Sequence, residues 1–137
     1  MDTTLIVKSL NSALVQEHAC AIRYMTHAEM VTGLSAESVS ARLQEIGGDE
    51  WGHAKKLRER ITALGGTPSV EVGEVKTAKS IEEILNINIH EEKDAIVMYQ
   101  EILKMIPKFQ LMRLYETIED IIQDEEEHLE ELSRLKG

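Results

Sequence analysis

Along most of the chain, apolar residues recur at alternating steps of three and four, the repeat of a helix with one buried face. Four such stripes are present: Ile6, Leu10, Ala13, Glu17, Ala21, Tyr24, Ala28 and Val31; Val39, Leu43, Ile46, Glu50, His53, Leu57, Ile61 and Leu64; Ile84, Ile87, Glu91, Ala95, Met98, Ile102 and Met105; and Leu111, Leu114, Ile118, Ile121, Glu125, His128, Leu132 and Leu135. They predict helices over about 4–32, 35–64, 80–106 and from just beyond Pro107 to about Leu135. Gly33 and the Gly65-Gly66 pair stop the first two. Ser80-Ile81-Glu82-Glu83 carries the Ser-x-x-Glu capping box that opens the third, and Pro107 ends it by removing a donor and clashing with the preceding turn.

The fold expected is all-α, a four-helix bundle in one domain spanning residues 1–137. The first connection is a few residues long, which makes the first two helices antiparallel neighbours. Residues 65–79 form a long crossover. The alternation Val70-Glu71-Val72-Gly73-Glu74-Val75 inside it allows a short strand, but a chain spanning the bundle's length explains it better. Gly47-Gly48 interrupts the second helix one turn before Glu50, at a cost of about 1 kcal/mol per glycine relative to alanine, and reads as a close backbone approach or local distortion beside a site.

Each stripe holds a Glu where an aliphatic residue is expected, and the second and fourth add a His in Asp49-Glu50-Trp51-Gly52-His53 and Asp124-Glu125-Glu126-Glu127-His128. The spacing is 33 positions from Glu17 to Glu50 and 34 from Glu91 to Glu125, the mark of a duplicated helix pair folded about a pseudo-two-fold axis. Glu17, Glu50, His53, Glu91, Glu125 and His128 then converge. Ionised carboxylates are not buried alone, because desolvation costs several kcal/mol or more for each unless it is paired or metal-bound. Four Glu carry four negative charges, which two divalent cations cancel. One Glu from each of two helices and Glu-x-x-His from each of the other two is the ligand set of di-iron and di-manganese carboxylate bundles. Oxygen and nitrogen donors suit iron, manganese or zinc.

Charge and composition narrow the field. A net charge of −10 argues against nucleic-acid backbone binding and suits the steering of cations. One cysteine, Cys20, leaves no intrachain disulfide and no Cys-x-x-Cys metal site. The start of the chain does not look like a signal peptide and no apolar run approaches bilayer length, so a cytoplasmic protein without membrane contact is expected.

With these residues in view, the chain resembles bacterioferritin and the wider ferritin-like superfamily over nearly its whole length. Leu10-Asn11 through Ala28, with Glu17, Tyr24 and His27-Ala28, looks like that family's first helix; Asp49 to Leu57 looks like its second-helix metal motif; Asp120 to Leu132 resembles its fourth helix. A single Glu-x-x-His is weak evidence, whereas two, each preceded by a buried Glu at matching distance, are specific. The resemblance implies a ferritin-like bundle with the long crossover between the second and third helices, in which Glu50 and Glu125 bridge two irons, Glu17 and Glu91 are terminal ligands, and His53 and His128 bind one metal each. It implies a ferroxidase: a non-haem di-iron protein oxidising Fe(II) with O2 or H2O2, in iron storage or detoxification. Two departures matter. Trp51 stands where bacterioferritin has its haem-binding Met, so haem by that route is not expected, and the chain stops nine residues after His128, without the short fifth helix of the 24-subunit cage. A homo-oligomer, a dimer or small shell, is expected instead.

The rival readings are a rubrerythrin-like peroxidase served by a separate electron-donor protein, and a metal-sequestering storage subunit with little turnover; a DNA-protecting shell fits the acidic balance least, and an oxygenase acting on an organic substrate stays open. Tyr24 lies on the site face, where core packing and a hydrogen bond to a ligand are equally good accounts. Asp49 and Asp124 read first as solvated charges and second as partners orienting a His. His18, His27 and His90 are not expected to bind metal, Cys20 reads as a small buried thiol, and Glu126, Glu127, Glu130 and Glu131 as a solvated face.

Overall fold

The computed structural model describes residues 1–137 and contains four helices: α1 (Thr4–Met30), α2 (Ala36–Ala63), α3 (Ile81–Met105) and α4 (Met112–Lys136). Gly65 (φ +85°) adopts the left-handed conformation that ends α2 without a Cβ penalty, whereas α1 ends earlier than expected, where Val31 turns extended (φ −60°, ψ 140°), and Gly33 (φ +105°) serves the turn into α2. At the start of α3 the Ser80 hydroxyl accepts from the Glu83 backbone N–H at 3.1 Å and donates to Glu83 Oε1 at 3.1 Å, so the expected Ser-x-x-Glu pair caps the helix with the carboxylate on the hydroxyl in place of the Ser80 N–H. α1 packs on α2 and α3 on α4, while looser contacts join α1 to α3 and α2 to α4.

The crossover, residues 64–80, contains no strand. Extended, it reaches about 55 Å, more than the roughly 40 Å of a 27-residue helix, so it can return the chain to the far end of the bundle. Hydrogen bonds with α1, one of them braced from α2, pin it there. The Asn11 amide donates to Thr67 O (3.0 Å) while its oxygen accepts from the Ser69 N–H (2.8 Å), and the Gly73 N–H donates to Val15 O (3.1 Å). His18 Nδ1–H donates to Glu71 O (2.7 Å), leaving Nε2 to accept from Arg58 (2.7 Å). Their partners fix the His18 tautomer.

The interior divides into two apolar clusters. Ile6, Leu10, Leu14, Leu57, Ile61, Ile118 and Ile121 fill one end, and Val39, Leu43, Ile46, Ile84, Leu85 and Leu132 the other. Each such side chain contributes about 1.5–3 kcal/mol on burial. Between the two clusters lies a layer of charged and polar groups.

Three of the four expected stripes are buried as drawn except at their ends, where Leu64 and Leu111 are half-buried and Leu135 is exposed. The third is not: the buried residues of α3 are Ile84, Leu85, Asn88, Glu92, Tyr99 and Ile102, which turns the helix by about one position from the expected face. Glu91 is therefore carried to the edge, where its side chain is 21% exposed and faces Lys76 of the crossover at 3.5 Å. Glu92, 1% exposed, takes the interior place. The reason is chemical: Asn88 and Tyr99, polar residues on the inward face, are held by hydrogen bonds to buried partners.

Candidate metal centre

The central layer gathers two overlapping sets of ligand atoms, Glu17, Glu50, His53 and Glu125, and Glu50, Glu92, Glu125 and His128, with the atoms of each set within 4.8 Å of one another. Five of the six expected residues meet there. The sixth, Glu91, does not, and Glu92 stands in its place. Each helix supplies its part through one inward turn: Glu17 from α1, Glu50 and His53 from α2, Glu92 from α3, Glu125 and His128 from α4. Glu50 and Glu125 belong to both sets, the arrangement a bridging pair requires.

The layer obeys an internal symmetry. Residues separated by 75 positions play the same part: Glu17 and Glu92, Tyr24 and Tyr99, Asp49 and Asp124, Glu50 and Glu125, His53 and His128. The Tyr24 hydroxyl donates to Glu92 Oε1 at 2.6 Å, and the Tyr99 hydroxyl donates to Glu17 Oε2 at 2.7 Å. A carboxylate can only accept, so the Nε2–H of each His is the donor to the Asp of the opposite helix, His53 to Asp124 at 2.8 Å and His128 to Asp49 at 2.9 Å. The two Asp are thus orienting partners that pin the rings, although each remains about half exposed. Solvation alone does not describe them. The signal in the sequence is the equality of spacings: 33 positions separate Glu92 from Glu125, as they separate Glu17 from Glu50, and Tyr99 follows Glu92 by the same seven positions as Tyr24 follows Glu17.

With Nε2 committed outward, each ring turns Nδ1 toward the carboxylates. His53 Nδ1 lies 3.1 Å from Glu17, 3.2 Å from Glu50 and 3.2 Å from Glu125. His128 Nδ1 lies 3.5–3.6 Å from Glu50, Glu92 and Glu125. Burial opposes a charged imidazole at both, but the carboxylates around His53 outweigh it and push that ring far above its ordinary value, and those around His128 push it up to about 9. Desolvation, reinforced by the neighbouring carboxylates, raises Glu50 and Glu125 well above the usual carboxylate range. The layer therefore retains protons in place of some of the cationic charge it needs.

Those protons leave the layer under-satisfied. Both oxygens of Glu50, both of Glu125, Glu92 Oε2 and His128 Nδ1 are buried without a hydrogen-bond partner. Orphaned buried polar atoms are rare and costly. Once their protons are displaced, these carboxylates and ring nitrogens, crowded within ligand distance, are what a pair of hard or borderline divalent cations satisfies, so the residues fit a two-metal centre.

Other residues fall outside the centre. His90 is exposed beside Asp94 on α3, and His18 serves the crossover. His27 is buried, with Nδ1 facing the Asn88 amide at 3.0 Å. Cys20 is a buried free thiol. Trp51 is 42% exposed on the outer face of α2, its ring centroid 6.4 Å from that of His18. No helix is long and apolar enough to cross a membrane.

A four-helix bundle with a buried, two-fold repeated carboxylate–histidine layer defines the class: a metal-carboxylate bundle of ferritin-like fold. Residues 7–136 match the family model for the ferritin-like domain, and the chain belongs to that family. A bacterioferritin of Desulfovibrio desulfuricans is 27% identical over 125 residues, covering 90% of this chain and 70% of the relative. Among solved structures, the chain is similar to a ferritin-like diiron-carboxylate protein from Bacillus anthracis strain Ames, with 31% identity, a TM-score of 0.94 and full coverage of both chains. It is also similar to a dodecameric thioferritin, the bacterioferritin-related protein of Bacteroides fragilis, with 26% identity, a TM-score of 0.90 and coverage of 98% and 85%.

Proposed function

We propose that the chain is a single-domain di-iron protein that oxidises Fe(II) with O2 or H2O2. The observation that carries this reading is the pair of overlapping ligand sets sharing Glu50 and Glu125, with five carboxylate oxygens left buried and unpartnered. Two ferrous ions bound side by side give up one electron each, which with two protons reduces O2 to H2O2 or H2O2 to two waters.

The chain's own residues prepare that exchange. Glu17, Glu50 and Glu125 with His53, and Glu50, Glu92 and Glu125 with His128, would hold the two ions. His53 and His128 must first lose the proton from Nδ1, and Asp124 and Asp49 keep each ring in the tautomer that frees that nitrogen. The Tyr99 and Tyr24 hydroxyls fix one oxygen of Glu17 and of Glu92, leaving the other oxygen to bind. The apolar clusters on either side exclude bulk water, which strengthens every charge interaction in the layer.

Anaerobic loading with two equivalents of Fe(II), followed by air, is expected to give a diferric absorbance band. Intact folding and bound iron without any such band would overturn the reading. Repeated peroxide turnover with a reductant and no mineral growth would select the peroxidase alternative, with an electron-donor protein as partner. The dodecameric neighbour favours a small homo-oligomeric shell, and cytoplasmic residence accords with a supply of Fe(II). Native mass, and the number of irons retained per chain, separates a shell with a cavity from a dimer.

A further inference from the structure

The ligands repeat at 75 positions, but the groups around them do not. Beside Glu92 lies a buried polar cluster on the α1–α3 side. Arg23, 2% exposed, donates from Nε to Asn88 Oδ1 at 2.7 Å. The Asn88 amide in turn reaches Ile84 O at 2.8 Å and His27 Nδ1 at 3.0 Å. Asn88 stands one helical turn before Glu92, and Arg23 adjoins Tyr24, whose hydroxyl holds Glu92. The corresponding positions near Glu17 are Met98 for Arg23, Ala13 for Asn88 and Ile102 for His27, the last two in the apolar core and Met98 half-buried against it.

Arg23 makes no ion pair, and its Nη2 is buried without a partner. Glu91 attracts it, but that carboxylate is partly exposed and also faces Lys76 at 3.5 Å. Its neutral partners leave the guanidinium charge largely uncancelled in a region where screening by water is weak. A cation beside Glu92 and His128 therefore feels a repulsion that a cation beside Glu17 and His53 feels less. The ring nitrogens show the same bias, with three carboxylates within 3.2 Å of His53 Nδ1 and none nearer than 3.5 Å to His128 Nδ1.

We propose that Arg23 sets the order of metal loading, so that a divalent cation occupies the Glu17–His53 half of the centre before the Glu92–His128 half. The proposal rests on the two-metal reading of the site and adds an inequality that the ligand set alone does not contain. Asn88 and Tyr24 place Arg23 at the Glu92 end, and a unit charge a few ångströms nearer to one cation position than to the other shifts relative occupancy by about tenfold.

The test is crystallographic, with the full chain loaded with one equivalent of Co(II) per chain and anomalous scattering refined at each half. In the unmodified protein the Glu17–His53 half should carry about ten times the occupancy of its counterpart. Arg23→Met, which copies the residue at position 98, should bring the two within about twofold, and Arg23→Lys, which keeps the charge, should preserve the bias. Met98→Lys introduces a cation at the Glu17 end and should equalise the halves without touching Arg23, a second route if Arg23→Met fails to fold. Equal occupancy in the unmodified protein, or an unchanged ratio in Arg23→Met or Met98→Lys, overturns the proposal. Absence of Co(II) from both halves in a folded protein overturns the two-metal reading itself, a distinguishable result.

Discussion

The α1–α2 and α3–α4 halves share one ligand layer and differ in almost everything around it. Inside, ligand, tyrosine and orienting aspartate all recur at 75 positions. Outside, α1 holds the crossover through Asn11, Val15 and His18, the last braced by Arg58 of α2, while α3 meets it through the Glu91–Lys76 pair. The difference teaches which constraints the chemistry imposes. Positions that must answer a cation are fixed in pairs, whereas positions that answer only packing or the chain's path are free to diverge.

The strongest way to break this comparison is to remove its paired carboxylates. Glu17→Gln and Glu92→Gln should act as twins, each weakening metal binding at its own half by at least about a hundredfold while leaving the fold intact. Glu91→Gln should change neither metal stoichiometry nor stability by more than about 0.5 kcal/mol, because its repeat partner, Gln16, already lacks the charge. Metal titration of the three variants checks all of this. If Glu91→Gln lost a metal and Glu92→Gln did not, the equivalence at 75 positions would fail and the 34-position spacing would stand.

That one-residue choice marks where the sequence stops being legible. The stripes of α1, α2 and α4 are apolar except at the ligands and Tyr24, so their anomalies stand out. On α3, the inward face also carries Asn88 and Tyr99, and a contiguous apolar run, Ala95-Ile96-Val97-Met98, gives no preference for either face. With Glu91 and Glu92 adjacent, periodicity alone could not choose; the repeat could, once Tyr24 was paired with Tyr99. The Asp–His bonds are another matter. They cross between α2 and α4, and no periodicity within one helix reveals a contact between two. Burial of Arg23 was equally hidden, since arginine on a helix is ordinarily solvated and its partner Asn88 lies 65 positions away.

Proton release sharpens the comparison between the halves. In the metal-free protein the folded-state pKa of His128 is raised to about 9 from an ordinary 6.5. A raised value means stability that is fully present below pH 6.5 and lost as pH climbs through 9, amounting to about 3 kcal/mol across that window. Glu50 and Glu125, raised as well, act in the same direction from their ordinary value of 4.5 upward. The chelated protein should therefore melt at progressively lower temperature as pH rises from 6 to 9. Metal reverses the slope, because its ligands must be deprotonated. Ring resonances should show His128 losing its proton before His53, which is held by the tighter set of carboxylates. Simultaneous release would mean that the halves are electrostatically alike.

The smallest effect concerns backbone approach. Gly47 of α2 corresponds to Ile122 of α4, and at the glycine α2 lies hard against α1. A Cβ at Gly47 would lie 2.9 Å from Met25 Cε and 3.2 Å from Tyr24 Cβ. The methionine end can swing aside; the Tyr24 Cβ is fixed by its backbone and by the bond from its hydroxyl to Glu92. At Gly48 a Cβ meets nothing within 4 Å. Gly48→Ala should thus recover about 1 kcal/mol of helix propensity, while overpacking in Gly47→Ala should outweigh that gain and leave a net loss of about 1 kcal/mol. Denaturant midpoints with equal slopes measure both. Were Gly47→Ala to stabilise the protein as much as Gly48→Ala, the α1–α2 contact would have slack there. The pair would then be incidental weak points in α2.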